Sequence, residues 1–285
     1  MANQKAKIMG LIEMDFLKLE GRSIVVMGVA NRRSVAWAVS QVLAEAGANI
    51  IYVFKDEALL EKNRRLIGEA ASAVVCNVES DDDVAALAGR VAAHAPVVHG
   101  LVHSIAFANF SEGLKPFHAT LKRDFLQAVD ISCFSLLNVC NTLKGMFAAD
   151  ASIVTMSIST TRMASENYGY MGPIKAALDS SVAFLAKSLS QEVSPNIRVN
   201  AVGAGLLKTS ASAGIPGYID AYLFAEQVIP RRRALETDEP AQVLAFLLSP
   251  RSSGINAQTI VVDAGMSINY FDRGIVRKAT APKED

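Results

Sequence analysis

Charge of one sign, cysteine, long apolar runs and the glycines of a full nucleotide cradle are all scarce in this chain of 285 residues. Lys and Arg number 28 and Asp and Glu 28, a formal net charge of zero. With no long basic block, neither a nucleic acid nor an anionic membrane surface has an electrostatic reason to bind. The densest basic run, Arg231-Arg232-Arg233 beside Pro230, reads as a loop or a subunit contact. Cys76, Cys133 and Cys140 make no C-x-x-C pair and no metal-like spacing, and read as reduced, buried small hydrophobes. His94, His99, His103 and His118 are not spaced with carboxylates as ligands are, so no metal is expected. No apolar stretch approaches the roughly 18 residues that cross a bilayer. Residues 1–14 mix Lys5, Lys7 and Glu13 with too few apolar residues for a signal peptide. A soluble cytoplasmic protein is the expectation.

What the chain does have is a repeated alternation. Strand-like apolar runs at 23–27, 49–54, 72–76, 100–103, 152–156, 198–202 and 259–262 are separated by amphipathic stretches such as 84–93, 176–192 and 241–248. Strands alternating with helices predict a parallel sheet covered on both faces, an α/β doubly wound Rossmann architecture. A chain of this length can bury that core as one domain. Residues 15–270 are taken as the domain, 1–14 as an N-terminal extension and 271–285 as a polar, frayed tail. Ligands of such sheets bind at the carboxyl ends of the strands. Gly28, Phe54-Lys55, Asn77-Val78, Ser104-Ile105-Ala106 and Ser157 each fall at such an end.

Two local patterns carry chemistry. The run Ser23–Met27 leads directly into Gly28-Val29-Ala30-Asn31-Arg32-Arg33-Ser34 and then into a helix patterned by Val35, Val39, Val42 and Leu43. Strand, glycine turn and helix start in that order form a phosphate cradle, with free amides and the helix dipole aimed at an anion. The dinucleotide fingerprint asks for three glycines; only Gly28 is present, with Ala30 and Ser34 near the places of the others. The second pattern is Tyr168 followed seven residues later by Lys175, a spacing that puts both on one helix face two turns apart. A phenol titrates near 10 in water, and a neighbouring ammonium would stabilise its anion and make it a better proton donor to a carbonyl. Elsewhere, Asp81-Asp82-Asp83 reads as a charge group at a helix N-terminus and Trp37 as core packing. The stretch from Ala211 to Gly217, with Tyr218, Tyr222 and Phe224 beyond it, has the composition of a lid.

Further short motifs stand in order: Ser34-Val35-Ala36, His103-Ser104-Ile105-Ala106-Phe107-Ala108, Arg198-Val199-Asn200-Ala201, Ala204-Gly205-Leu206-Leu207-Lys208-Thr209, Ala213-Gly214-Ile215, and Gly254-Ile255 leading to Val262-Asp263-Ala264-Gly265. With the Gly28 and Tyr168 segments, they make the chain resemble the short-chain dehydrogenase/reductase superfamily and, over residues 15–270, its bacterial enoyl-acyl-carrier-protein reductases. The resemblance implies seven parallel strands, NADH or NADPH as cofactor, a homotetramer, and an acyl thioester substrate on acyl carrier protein. It implies Tyr168 and Lys175 as catalytic residues. Gly28, Ser34 and Val35 would meet the pyrophosphate, and Asn77 and Val78 the adenine. Ala106 would meet the ribose, Lys175 the nicotinamide ribose and Thr209 the phosphate or carboxamide side, with Ser104, Ile105 and Gly205 also among the cofactor-binding residues. Phe107, Ile158, Ala211 and Ile215 would line the substrate pocket, with Tyr170 largely structural and set at its mouth.

The resemblance breaks at Ile158, where the enoyl reductases usually place a second tyrosine ten residues before the catalytic one. Related carbonyl reductases place a serine near it; here Ser157 and Ser159 flank it, and Ser159-Thr160-Thr161-Arg162 is more polar than the usual leucine and glycine. At the end of the second strand an acidic residue would select NADH. Lys55 stands there instead and tilts the choice toward NADPH, unless Asp56 or Glu57 pairs with it. The expected activity is reduction of the 2,3-double bond of an enoyl thioester in fatty-acid or related acyl biosynthesis. The alternatives are a carbonyl or alcohol oxidoreductase of a secondary pathway and a catalytically silent paralogue.

Overall fold

The structure, a computed structural model, describes residues 15–113, 115–269 and 271–281. Its strands are β1 (Ser23–Met27), β2 (Asn49–Phe54), β3 (Ser72–Val75), β4 (Val98–His103), β5 (Phe147–Ile158), β6 (Arg198–Ala204) and β7 (Thr259–Val262). They form one parallel sheet in the order β3-β2-β1-β4-β5-β6-β7. Three of the expected strands are reproduced to the residue; β5 is longer at both ends than the apolar run 152–156 announced. The helices, in chain order, are α1 (Val35–Glu45), α2 (Glu57–Ile67), α3 (Asp81–Ala92), α4 (Lys122–Val129), α5 (Ser135–Leu143), α6 (Met171–Glu192), α7 (Ser210–Ala213), α8 (Tyr218–Val228), α9 (Asp238–Leu248) and α10 (Arg273–Thr280).

Strand alternation assigns the side chains to two cores. On β1, Val25 and Met27 join Leu87 of α3, Leu136 and Val139 of α5 and Ile174, Leu178 and Val182 of α6. Ile24 and Val26 face the other way, into Val39 and Leu43 of α1 and Leu244 and Leu248 of α9. Because both faces are covered, β1 is buried along its whole length, which is why its sequence is a continuous apolar run rather than an alternating one.

Helix starts obey local chemistry. Ser80 caps α3 by accepting the Asp83 N–H at 3.3 Å, and Asp81, Asp82 and Asp83 occupy the first turn against the positive end of the dipole. Asp83 also accepts the Asn77 N–H at 3.1 Å and takes Arg90 at 3.0 Å, fixing the loop after β3. The tail was expected to fray; instead Asp272 caps α10 through the Gly274 and Ile275 amides, and Arg232 of the basic run pairs with it at 2.8 Å. Residues 1–14 and 282–285 of the two termini, and Tyr270, lie outside the described residues.

Arg198, 6 % exposed, ties β6 to the C-terminal end of α9. Its guanidinium donates to Leu247 O, Ser249 O and Ser252 O, each at 3.0 Å, and to Ser252 Oγ at 2.7 Å. Arg198→Met keeps the stem and removes every donor, so Leu247 O, Ser249 O and Ser252 O each lose one hydrogen bond while keeping others from Ser152, Ser252 and Ile255, at about 1 kcal/mol per bond lost. Urea denaturation is expected to show a loss of about 3 kcal/mol; a loss below about 1 kcal/mol would mean that the remaining donors satisfy these carbonyls by themselves.

Candidate active site

In the strand order, β1 lies between β2 and β4, and the chain turns to opposite sides as it leaves β1 and β4. A cavity of about 580 Å³ opens at these carboxyl ends, within the usual size of a small-molecule site. Its base is a backbone contact. Gly28 has φ +102, and a Cβ built on it would stand 2.0 Å from Ser104 O. Ser104 N–H in turn donates to Met27 O at 3.2 Å. Only glycine fits here, on conformation and on space. Ser34 and Val35 then start α1 at the cavity wall, with no side chain among the described residues capping that helix end. The strand, glycine turn and helix start expected from the sequence are thus in place, and such a helix start can take an anion.

The cavity is also lined by Lys55, Asn77, Val78, Ser104, Ile105, Ala106, Gly205 and Thr209, and by Phe107, Ile158, Ala211 and Ile215. Tyr168 and Lys175 line it together. Tyr170 does not. It is 7 % exposed, packs against Phe110 and Phe125, and its hydroxyl accepts from Asn109 N at 2.8 Å and donates to Asn109 O at 3.0 Å. Two polar bonds and two rings hold it behind the wall, so its placement at the substrate pocket is corrected to a structural one.

Tyr168 and Lys175 do not share the expected single helix. Tyr168 ends a short 3₁₀ turn, Glu166–Tyr168, and Gly169 at φ +51 and ψ −133 breaks the chain before α6 begins at Met171. That backbone region is open to glycine and strained for side chains. The break swings the half-buried phenol off the helix axis and into the cavity. Its proton affinity is also corrected: burial raises the phenol above its ordinary value, and Tyr218 adds in the same direction. Tyr168 is therefore a neutral hydroxyl donor at neutral pH.

Lys175, 3 % exposed, donates from Nζ to Met156 O at 2.7 Å near the end of β5. Burial lowers it to about 8, against smaller raising effects of Asp179 and Cys133. Behind it His103, fully buried, bridges Thr155 Oγ1 at 3.0 Å and Ser135 Oγ at 2.8 Å. Burial, and then the Lys175 charge, push that imidazole down to about 3, so it is neutral. Between α4 and α5 a π-helical turn, Asp130–Phe134, aims Ser132 at the loop after β4. Ser132 Oγ accepts the Phe107 N–H at 2.9 Å and donates to Phe107 O at 3.2 Å. π-Turns of this kind concentrate at functional sites, and no residue pattern in the sequence announced this one.

Other contacts of the site join segments that are far apart in the chain. Lys55 pairs neither with Asp56 nor with Glu57: Asp56 caps α2 through the Leu59 N–H at 2.8 Å, and Lys55 Nζ meets Glu79 Oε2 at 3.3 Å. Gln127 Nε2 donates to the other Glu79 oxygen at 2.9 Å. The Gln127 bond and Lys55 hold Glu79 below the usual carboxylate range. The sheet brings Glu79 to Lys55, because the parallel pairing of β2 with β3 sets the two strand ends side by side. At the lid, Tyr218 pins the Leu207 peptide by accepting from its N–H and donating to its carbonyl, both at 2.8 Å. Thr209 and Ser212 close a reciprocal cap on α7. Among the buried hydroxyls, Ser157 Oγ stands apart: 4 % exposed, on the cavity wall, it has no partner among the described residues. Leaving such a group unpaired costs about 1–3 kcal/mol.

A parallel seven-strand sheet with an anion cradle at its switch point, and a tyrosine and a lysine on the cavity wall, defines a Rossmann-type oxidoreductase of the short-chain dehydrogenase/reductase class. Residues 28–267 match the family described as Enoyl-(Acyl carrier protein) reductase, and the chain belongs to that family. It is 37% identical over 254 residues to the NADH enoyl-acyl-carrier-protein reductase FabI of Bacillus subtilis (strain 168), covering 88% of this chain and 97% of that protein. It is 33% identical to the NADPH reductase FabI of Staphylococcus aureus (strain MRSA252), covering 87% and 98%. The crystal structure of the NADH reductase of Aquifex aeolicus VF5 superposes with a TM-score of 0.84 at 28% identity, covering 89% of this chain and 99% of that one. That of Bacillus cereus, with NADP+ and an indole naphthyridinone, gives 0.82 at 33% identity, covering 88% and 98%.

The charges set two outcomes. Lys175 loses its proton as pH rises through about 8, so NADH affinity measured by fluorescence titration is expected to fall above that pH, and Lys175→Arg to abolish the fall; parallel profiles would remove Lys175 from the cofactor. In the unliganded fold the lowered value works the other way. A charged Lys175 costs stability below about pH 8, and that cost is relieved as pH rises toward 10.5. Glu79 offsets Lys55, so Glu79→Gln should strengthen NADPH relative to NADH by up to about fivefold and Lys55→Glu should weaken it, the scale of an exposed ion pair. Unchanged affinity ratios in both variants would show that this pair does not read the 2′-phosphate.

Proposed function

We propose that this chain reduces the 2,3-double bond of an enoyl thioester carried on acyl carrier protein, using NADH or NADPH, in fatty-acid or related acyl biosynthesis. The observation that carries the reading is the placement of the Tyr168 hydroxyl and the buried Lys175 ammonium on one wall of a cavity whose base is the Gly28 cradle, in a member of the enoyl-acyl-carrier-protein reductase family. Residues 15–270 are taken as the reductase domain, and a homotetramer in the cytoplasm as its working form, both on the strength of the family resemblance.

The residues present fit the cofactor. Gly28, Ser34 and Val35 would hold its pyrophosphate, where the Gly28 turn leads the chain from β1 to the uncapped start of α1, which favours an anion. Asn77 and Val78 would hold the adenine end, with Ile105 and Ala106 along the adenosine ribose. Lys175 would give its remaining donors to the nicotinamide ribose, and Gly205 and Thr209 would flank the carboxamide. When bound, the cofactor supplies a hydride to the β-carbon of the enoyl group.

The chain's own part is to receive the resulting charge. As the double bond is saturated at the β-carbon, its electron pair moves toward the thioester carbonyl and that oxygen becomes anionic. Tyr168, held protonated by its surroundings, donates a hydrogen bond to the oxygen where the charge develops. Lys175 is fixed to Met156 O, so its ammonium needs little rearrangement to serve the ribose. Phe107, Ile158 and Ile215 present apolar surface that keeps water from the reacting carbons. A carbonyl or alcohol oxidoreductase is the second reading, favoured by Ile158 where a second tyrosine is expected.

Assays of trans-2-enoyl thioesters and of simple ketones with both cofactors separate the two readings. Turnover of ketones alone would displace the first. Tyr168→Phe is expected to lower kcat by about 100- to 1000-fold, the usual cost of losing an oxyanion donor, with cofactor affinity within about twofold of wild type. Retention of a tenth or more of kcat, with hydride transfer limiting, would assign the donor role to another group.

A further inference from the structure

Lys175 is a buried cation on the cavity wall, and its hydrogen bond to Met156 O uses one of its three N–H donors. Burial alone favours the neutral amine, so whatever keeps it charged must come from its neighbours. The helix that carries it, α6, packs against β5, β6, α4 and the π-helical turn. His103 of β4, behind the lysine, is neutral between its two hydroxyls. Cys133 of the π-helical turn is a thiol that burial keeps protonated, 3.7 Å from Ser181 Oγ. Tyr168 is a neutral phenol. Asp124 of α4 is engaged by Asn109 and Arg123, and Arg198 of β6 is bound at the far end of its strand. The group left is Asp179.

Asp179 follows Lys175 by four residues within α6. Such positions are neighbours on a helix surface, with roughly 5–6 Å between their Cβ atoms. Helix side chains lean toward the N-terminus, which carries Asp179 back over the turn of Lys175. The two stand on the inner side of the helix, beside Leu178 and Val182 of the core. Asp179 is partly buried, and its Oδ1 is closed to solvent with no hydrogen-bond partner among the described residues. A carboxylate oxygen in such a place needs a positive charge nearby, and Lys175 is one turn away. Among the described residues neither of the two joins an ion pair. Asp179 nevertheless raises the proton affinity of Lys175 against the effect of burial. The ammonium is thus supported from a distance, and its donors are not taken up.

We propose that Asp179 is a positioning residue for the cofactor, its carboxylate holding the Lys175 ammonium charged while leaving two N–H donors free for the nicotinamide ribose. In assigning Lys175 to that ribose, this rests on the functional reading above. Asp179 does not line the cavity and acts through Lys175 alone. A carboxylate in contact with the ammonium would compete with the ribose diol for its donors, whereas an uncharged neighbour would let burial take the proton at a lower pH. A carboxylate one turn along the helix avoids both.

The test follows the Lys175 proton in wild type, Asp179→Asn, Asp179→Glu and the double variant Asp179→Asn with Lys175→Arg. NADH affinity is titrated by fluorescence between about pH 6 and about pH 9.5, and urea unfolding of the unliganded protein over the same range reads the same proton without cofactor. In wild type the affinity falls as pH rises through about 8. In Asp179→Asn the midpoint is expected about one unit lower, so that NADH binds about threefold more weakly at about pH 7.5 and equally well at about pH 6. The gain in unfolding stability that accompanies loss of the Lys175 proton should likewise begin about one unit lower. Asp179→Glu should restore the wild-type midpoint, and in the double variant the asparagine should cause no pH-dependent loss. Asp179→Ser, smaller and also uncharged, carries the comparison if Asp179→Asn does not fold. An unchanged midpoint in the unfolding profile overturns the inference. So does a loss of NADH affinity that is equal at every pH, the mark of a merely structural residue. Absence of NADH binding by the wild type is a different failure, that of the proposed function, and the unfolding profile still decides whether Asp179 holds the Lys175 proton.

Discussion

The site hangs on the approach of two backbones at the Gly28 and Ser104 positions. These are the first residues past β1 and β4, neighbours in the sheet at the point where the strand order reverses. Their contact is too close for any side chain, since a Cβ on Gly28 would reach to 2.0 Å of Ser104 O. The contact fixes the course of both segments beyond it. The turn after Gly28 delivers α1 with Ser34 and Val35 at the cavity. The loop after Ser104 delivers Ile105, Ala106 and Phe107, and Ser132 clamps it from the π-helical turn by both polar atoms of the Phe107 backbone. A glycine-poor cradle works here because the one glycine it keeps stands where sterics leave no alternative. Ala30 and Ser34 stand where a small side chain is accommodated: Ser34 turns its hydroxyl back to Asn31 O at 2.6 Å.

The second constraint is electrostatic. Lys175 carries its amine into a buried position, and burial brings it down to about 8. The surroundings avoid adding to that cost. His103, which could have brought a second positive charge, stays neutral between two hydroxyls. Asp179 and Cys133 act on the ammonium in the favourable direction. One cation and one neutral phenol lining the same cavity suit the proposed reception of an anionic oxygen and of a ribose diol. A phenolate formed beforehand would repel that oxygen, so the raised proton affinity of Tyr168 is part of the fit rather than an obstacle to it.

The parallel sheet was legible because both its faces are covered, which turns central strands such as β1 and β2 into short apolar runs bounded by polar ends. The cradle was legible because its parts are contiguous: strand, Gly28, helix start. What could not be read was anything set by backbone geometry or by segments distant in sequence. Residues 147–151 belong to β5 although Ala148, Ala149 and Asp150 show no strand pattern: Phe147 pairs with Val98, and regular pairing resumes only at Ser152, across an irregularity that no apolar run announces. The Tyr168 to Lys175 spacing looked like two turns of one helix, and only the positive φ of Gly169 shows the break. Lys55 was weighed against its sequence neighbours, yet its partner Glu79 arrives from beyond β3. Tyr170 sat two residues from Tyr168, and its burial depended on Phe110, Phe125 and Asn109, which the chain brings from elsewhere.

At the end of β5 two adjacent residues of different chemistry, Ser157 and Ile158, both line the cavity. Successive side chains point to opposite faces, so a polar group cannot pass from position 158 to 157 without changing sides. Near the cavity that rule is softened by geometry, because the sheet ends there: Ser157 and Ile158 both reach the cavity lining. β6 contributes to this by what it lacks. Gly203 pairs with Ser157, and a Cβ on it would come within 3.0 Å of Ile158 O, so the two strand ends run close together and Gly203 puts no side chain between Ser157 and the cavity. Burial of an unpaired hydroxyl is unfavourable for the empty fold by about 1–3 kcal/mol, whereas alanine in its place would carry no such penalty. A fold that keeps the serine is therefore less stable than the same fold with alanine at this position.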